Sequence, residues 1–306
     1  MRDTLILGHE ATRAALAPAA VTEAVTTALI AIADGTVSAP PRIAAFAPAG
    51  LLGAMPAYVP GLGLSAKLVS VFDDPEHPGR SAHQGVVALF DEHNGSLLAL
   101  LDGESVTAVR TAACATVAMR ALARPGPRRI TVIGTGVQAT AQLALLAALG
   151  TTAEVTVAGR DEGRARAAAQ AFPGARTATV REAVDGADVV FCCTATRTPV
   201  LAYDWLAPGA HVSSVGGFDG CELDAGTVRA GSVFVEWPGA VTSPPPAGAD
   251  ELQGLPEGGA TLIGDVLAGR HPGRRTDGET TVFKSTGHAA LDTAAAAVVY
   301  RTHAPS

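Results

Sequence analysis

The sequence predicts an α/β protein made of a Rossmann-type doubly wound parallel sheet domain and a second domain of α+β type. Three observations carry this. From about Arg128 onward, short continuous apolar runs alternate with stretches of helical spacing, the pattern of a parallel sheet covered on both faces. The first of these runs ends in a glycine turn that opens a helix. Ahead of it, apolar runs are joined by a tight turn, as antiparallel strands are.

In chain order, "SAKLVSVF" (65–72) and "QGVVALFDEHNGSLLALLDG" (84–103) read as antiparallel strands, with Asn-Gly turning the hairpin. "ITVIG" (130–134) is the first parallel strand, and "QATAQLALLAALG" (138–150) is a helix closed by Gly150. "EVTVAGR" (154–160) is the second strand. "DEGRARAAAQAF" (161–172) is a helix with Asp161 as N-cap and Pro173 as its stop. "ADVVFCCTAT" (187–196), "AHVSSVGG" (210–217) and "SVFVEW" (232–237) read as fully buried strands, and "VTSPPPAGADELQGLPEGG" (241–259) as a Pro/Gly-rich loop. "ALDTAAAAVVYRTHA" is a final helix.

The 306 residues are 48% hydrophobic and 17% charged, enough to bury one large core or two ordinary ones, and the length suggests about two domains. Net charge is −7 with no basic block of five residues, which argues against a nucleic-acid partner. Asp3, His9, Glu10 and Arg13 interrupt any signal-peptide core. The long uncharged run Ile43–Ala66 holds Pro48, Pro56, Pro60 and four glycines, so it cannot lie in a bilayer as a helix. A soluble, cytoplasmic protein is expected. Cys114, Cys192, Cys193 and Cys221 form no CxxC pair and read as reduced thiols, and the eight histidines lack metal-ligand spacing, so no metal is expected. Cationic side chains are twenty arginines and only two lysines, Lys67 and Lys284. A buried lysine can titrate and an arginine effectively cannot, so a site that moves protons has reason to keep a lysine; chance survival is the other reading.

Gly134-Thr135-Gly136-Val137-Gln138-Ala139 fits G-x-G-x-x-A between strand and helix. The first glycine permits the turn, the second admits a pyrophosphate to the backbone, and Ala139 is small enough for helix–strand packing. The helix then presents unpaired N–H groups to phosphate. NAD sites usually end the second strand on Asp or Glu, for the ribose 2′-OH. Here that tip is Gly159-Arg160, and an arginine there can pair with a 2′-phosphate, aided by Arg164 and Arg166. NADP(H) is therefore favoured and NAD(H) possible, since Asp161 either caps its helix or reaches the ribose.

On "AMPAY" (54–58), "KLVSVF" (67–72), "QGVVALFDEHNGSLLALLDG" (84–103), "LDGESVTAVRTAACATVA" (101–118), "VIGTGVQA" (132–139), "ELD" (222–224) and "VFKSTGHAALDTAAAAVVY" (282–300), the chain resembles the ornithine cyclodeaminase/μ-crystallin family over most of its length. The resemblance implies a substrate-binding and homodimerisation domain (1–110 with 287–306), a Rossmann domain (111–286) and a site in the cleft. Members deaminate and cyclise ornithine or lysine, oxidise alanine, reduce ketimines such as pyrroline-2-carboxylate, or hold NADPH without obvious turnover.

Arg42, Lys67 and Arg110 match the family's substrate set. All three lie in apolar stretches, where a buried charge needs a partner, and a substrate carboxylate would pair with the arginines; a surface side chain whose stem covers apolar area is the other reading for Arg42 above all, and for Lys67 and Arg110. Met55 either packs against the substrate's apolar part or fills the core. The family also uses an aspartate after the strand that here ends "VSSVGG". Asp219 is the nearest carboxylate, an exposed loop residue otherwise. By position, Thr111, Thr194, Ala195, Thr196, Lys284 and Ser285 join Gly134, Thr135, Gly136, Val137, Gln138 and Arg160 as cofactor contacts, although the threonines could merely end a strand. His83, His211 and His288 stay outside the site prediction.

The expected reaction is hydride transfer between a nicotinamide and the α-carbon of a small α-imino or α-amino acid, with the arginines on the carboxylate and Lys67 or Asp219 managing the nitrogen's proton. Flanking arginines would lower the pKa of Lys67. The arginine at the cofactor tip and the uncertain register of the Asp219 carboxylate, which cyclisation of ornithine would need, favour a ketimine (Δ1-pyrroline-2-carboxylate-type) reductase. An ornithine/lysine cyclodeaminase, an alanine-type dehydrogenase, and a non-catalytic NADPH- and carboxylate-binding protein remain the alternatives.

Overall fold

A computed structural model describes residues 4–72, 83–217 and 220–303. The chain forms two compact units, Met1–Arg110 with His288–Ser306, and Thr111–Gly287. Gly287 falls to the second unit, where its N–H donates to Glu236.

The first unit runs through β1 (Leu5–Leu7), α1 (His9–Ala15), α2 (Pro18–Ala33), β2 (Ile43–Ala47), β3 (Gly50–Val59), β4 (Gly63–Phe72), β5 (His83–Phe90) and β6 (Leu97–Asp102), and into α3 (Gly103–Leu122). The six strands form one sheet in the order β1-β6-β5-β4-β3-β2, antiparallel except for β1 on β6. The uncharged run 43–66 is thus spent on β2, β3 and the start of β4. Alternation along β4 separates the sheet's faces: Ser65 and Lys67 are buried, whereas Leu64 and Leu68 are exposed. The final helix of the chain, α10 (Ala289–His303), packs on β3, β4, β5 and α2. Its alanines allow close approach, and Thr293 is hydrogen-bonded to Ser65 at 2.7 Å.

The β5–β6 hairpin forms, but not through a two-residue Asn-Gly turn. Asn94 keeps a negative φ and only Gly95 is left-handed. Asp91 organises a longer loop, its Oδ1 accepting from the N–H groups of His93 and Asn94. Such an Asx arrangement satisfies the backbone without a second positive φ.

The second unit contains β7 (Arg129–Ile133), α4 (Val137–Ala148), β8 (Glu154–Ala158), α5 (Glu162–Ala169), β9 (Arg176–Ala178), α6 (Val180–Val184), β10 (Val189–Cys192), β11 (His211–Ser214), α7 (Ala225–Ala230), β12 (Ser232–Val235), α8 (Gly239–Thr242), β13 (Ala260–Leu262), α9 (Ile263–Leu267) and β14 (Thr281–Lys284). All eight strands are parallel, in the order β13-β12-β14-β11-β10-β7-β8-β9. Alternate residues of one strand feed different cores. Ile130, Val132 and Phe191 pack with Leu143, Leu146 and Phe172, whereas Ile133, Val190 and Cys192 pack with Val212, Leu223 and Val282. Burial on both faces is why these strands read as unbroken apolar runs.

Asp161 caps α5, its Oδ1 accepting from Arg164 N–H at 2.8 Å. The stretch 241–259 is more than a surface connection: Ala249 and Leu252 are buried in the second of these cores. Among the described residues, no single helix is long and apolar enough to cross a membrane, and no group of three or more His, Cys, Asp or Glu could hold a metal ion.

Candidate active site

In the first unit a strand and two helices bring charged side chains together. Met55 on β3 lies directly opposite Lys67 on β4. On α3, Thr107 and Arg110 are three residues apart and so share a helix face. Asp102 starts that helix, its Oδ1 accepting from Ser105 N–H at 2.8 Å. On α10, Asp292 occupies the first turn, where the helix dipole favours a carboxylate.

Asp292 is fully buried, and it is the hub. Its Oδ1 accepts from Arg110 Nε at 2.9 Å and lies 3.7 Å from Lys67 Nζ. Its Oδ2 has no hydrogen-bond partner among the described residues. Lys67 Nζ also donates to Thr107 Oγ1, whose own proton goes to Gly103 O at 2.6 Å. Only 7% of Lys67 and 5% of Arg110 are exposed, so neither arginine-like snorkelling nor bulk water screens these charges.

Burial pushes the Lys67 ammonium down to about 8; Asp292 opposes this, and Arg110 and Arg42 reinforce it. Arg42 therefore stands close enough to act on Lys67. The same surroundings hold His288 at about 4, chiefly by burial. Its Nδ1 accepts from Ala290 N–H at 3.3 Å, so the neutral ring carries its proton on Nε2. The structure thus gathers Arg42, Met55, Lys67 and Arg110. Sequence reasoning missed Asp292 and Thr107 and set His288 aside. A lone carboxylate in the alanine-rich "AALDTAAAA" was the available signal for Asp292, since a charge in such a helix needs a partner.

In the second unit the strand order reverses between β7 and β10, which lie side by side with Ile133 opposite Cys192. Ligands of open α/β sheets bind at the carboxyl ends of strands at such a point. Gly134 there has φ +130°, and a Cβ on it would strike the carbonyl oxygen of Cys193. Gly136 differs. Its φ of −92° suits any residue, and no protein atom lies within 4 Å of where a Cβ would be. Nothing in the chain demands glycine at 136; a group approaching the backbone from outside would. Gln138 Oε1 at the same helix start is buried without a described partner. These residues fit a dinucleotide pyrophosphate. Thr135 packs on Gly159, tying the turn to the tip of β8, and exposed Arg160 follows.

Thr194, Ala195 and Thr196 lie at the carboxyl end of β10, but Thr194 is engaged. Its N–H and Oγ1 both donate to Glu222 Oε1, at 2.6 and 2.7 Å. Glu222 Oε2 accepts from Ser214 Oγ at 2.7 Å and Gly216 N–H at 2.8 Å. Lys284 Nζ donates to Ser214 Oγ and Gly216 O and pairs with Glu251 Oε1 at 2.9 Å. Two ammonium donors of Lys284 and its charge are thereby engaged inside the fold, which revises the expectation that it approaches a nicotinamide. Thr196 bonds Thr198 within its own loop, and Ser285 N–H donates to Ser214 O. Thr111 is buried on α3. Asp219 lies outside the described residues. Glu222 and Glu251 went unassigned from sequence because their partners come from β10, β11 and β14.

Fold and site define a class: a doubly wound unit of dinucleotide-binding type in one chain with an α+β unit that buries cations around a single carboxylate. The chain belongs to the ornithine cyclodeaminase/mu-crystallin family, whose sequence model matches residues 2–305. It is 35% identical over 265 residues to ketimine reductase mu-crystallin of Mus musculus, covering 82% of this chain and 80% of that one. The solved Thermococcus litoralis Δ1-pyrroline-2-carboxylate reductase, in complex with NADH and L-proline, superposes with a TM-score of 0.85 at 28% identity, over 98% of this chain and 97% of that one. An archaeal alanine dehydrogenase dimer with bound NAD gives 0.83 at 29% identity, over 98% and 95%.

Proposed function

We propose that the protein is an NAD(P)H-dependent oxidoreductase that reduces a small α-imino acid, a ketimine of the Δ1-pyrroline-2-carboxylate type. The observation that carries this is the buried cation cluster: Lys67 and Arg110 on Asp292, with Arg42 acting on the same lysine. Two arginines suit a carboxylate, which they grip through planar, paired donors. A lysine held near 8 is protonated at neutral pH yet gives its proton up readily, so Lys67 protonates the substrate nitrogen. Met55, opposite Lys67, borders the substrate's hydrocarbon part. A reduced nicotinamide supplies the hydride when bound, and the turn 134–138 holds its pyrophosphate. The reading requires donor carbon and α-carbon to come within about 3–3.5 Å. The ketimine-reducing relatives support the substrate class.

We favour NADP(H). The tip of β8 offers Arg160 rather than a carboxylate, and the nearby Asp161 is occupied as the α5 cap. A homodimer also follows in this reading. The sheet face opposite Lys67 leaves Ile6, Ile43, Leu52, Leu64, Leu68, Phe72 and Val86 exposed. By strand register these point the same way. A second copy covering this face would remove that apolar surface from water.

The test is a substrate panel with purified protein: Δ1-pyrroline-2-carboxylate, Δ1-piperideine-2-carboxylate, L-alanine and L-ornithine, each with NADPH or NADP as the direction requires. Oxidation of NADPH by the cyclic imino acids supports the proposal. Release of ammonia from ornithine with no net cofactor change establishes a cyclodeaminase instead, and NADPH binding without turnover of any substrate establishes a binding protein.

A further inference from the structure

The cluster around Asp292 contains an asymmetry that the imino-acid reading does not need and does not explain. Arg110 is held at one edge only. Its Nε donates to Asp292 Oδ1 at 2.9 Å, while its terminal nitrogens donate to no described residue. A guanidinium is planar and rigid, so a bond at Nε from a fully buried carboxylate sets the plane of the whole group. The same Oδ1 is 3.7 Å from Lys67 Nζ. Asp292 itself sits in the first turn of α10, whose backbone is anchored in the unit's core.

We propose that Asp292 is the positioning residue of this site: it clamps the Nε edge of Arg110 so that both terminal nitrogens are offered together to the substrate carboxylate, and its charge allows Lys67 to stand protonated beside two arginines. The proposal rests on the imino-acid reading for its substrate. Among the described residues, the groups facing Lys67 are Met55 from β3, Thr107 and Arg110 from α3, Asp292 from α10, His288 just ahead of that helix, and Arg42. Asp292 is the one anion among them. Without it, three cations share a nearly dry site, and Lys67 gives up its proton at lower pH.

Asp292→Asn tests this. The expected result is a folded protein with wild-type NADPH affinity, kcat/KM lower by at least about tenfold, most of it in KM, and an alkaline limb of the kcat/KM–pH profile displaced to lower pH. A merely structural aspartate would change the melting temperature without moving that limb. Asp292→Glu keeps the charge but displaces the oxygen from Nε, so it retains the wild-type limb and raises KM. If Asp292→Asn does not fold, Asp292→Glu decides alone: a raised KM with an unmoved limb supports the clamp, and a wild-type KM overturns it. A folded Asp292→Asn with wild-type KM and an unmoved limb also overturns it. Calorimetric titration of L-proline separates this from the parent reading. Should wild type turn over no imino acid, that reading fails, whereas a wild-type affinity for L-proline that is lost in Asp292→Asn still supports the clamp.

Discussion

Glu251 Oε1 lies 2.9 Å from Lys284 Nζ, and both side chains are closed to solvent. The ammonium sits between two buried carboxylates, Glu251 directly and Glu222 through the shared hydroxyl of Ser214. Removing Lys284 strands two anions, whereas removing Glu251 leaves Lys284 still balanced by Glu222. Lys284→Met should therefore cost about 3–5 kcal/mol, the usual consequence of breaking a buried pair, and Glu251→Gln distinctly less. Urea unfolding at neutral pH checks the ranking, and the reverse order would refute the account of Lys284 as an internal strut.

Lys67→Met should lower the rate by about 10²–10⁴-fold, the range for losing a positioned proton donor, and leave NADPH affinity intact. In wild type the rate should fall as pH rises through about 8, where Lys67 loses its proton. Steady-state kinetics from pH 6 to 10, with fluorescence titration of NADPH, reads both. Full activity of the variant would exclude Lys67 as the donor.

Arg160→Ser should reduce the preference for NADPH over NADH by about tenfold or more, because a charge-assisted contact to the 2′-phosphate is lost, and leave NADH binding unchanged. Dissociation constants for both cofactors measure it. An equal loss for both would place Arg160 away from the phosphate.

His211 predicts how the fold meets acid. It is fully buried between Thr281 Oγ1 and Ser213 Oγ, and burial lowers its pKa from 6.5 to about 3. Below about 6.5 the unfolded chain takes up a proton that the folded chain refuses until about 3. The histidine's contribution is thus complete above 6.5 and is lost as pH falls, by up to about 1.4 kcal/mol per pH unit. His288 adds to the slope until about 4. Denaturant melts between pH 7.5 and 4 should show His211→Gln less stable at neutrality but flatter toward acid, and parallel slopes would contradict this.

Leu68→Glu places a charge in the exposed face of the first unit's sheet, opposite the face that carries Lys67. If a second copy covers that face, light scattering should show a dimer for wild type and a monomer for the variant, with the same circular dichroism. A monomeric wild type would leave the face without this occupant.

The parallel sheet was legible in the sequence because its central strands are buried on both faces, so "ITVIG", "DVVFCC" and "SVFVEW" stand out as apolar blocks between turns. Asp161 was legible as a cap because capping is local, one side chain reaching an N–H three residues on. Lys67 and Arg110 were singled out by the family resemblance, and each being a charge in an apolar stretch supported it. What was not legible is pairing over distance. Asp292 meets Arg110 across 182 positions, and nothing near either residue encodes the other. Glu251 was hidden differently: a Pro/Gly-rich composition predicts a surface loop, yet Leu252 beside it is buried and draws the segment inward. The β5–β6 loop shows the same limit on a small scale, since Asn94-Gly95 signals a turn but Asp91 decides its form.

The central claim is that a small imino acid, held by the cations around Asp292, receives a hydride at its α-carbon. The most direct measurement uses NADPH carrying deuterium at both positions of nicotinamide C4 with Δ1-pyrroline-2-carboxylate, and mass spectrometry of the proline formed. Proline carrying one deuterium at Cα, formed in step with NADPH consumed, is the predicted result. Unlabelled proline, or none while the protein still binds NADPH, would contradict it.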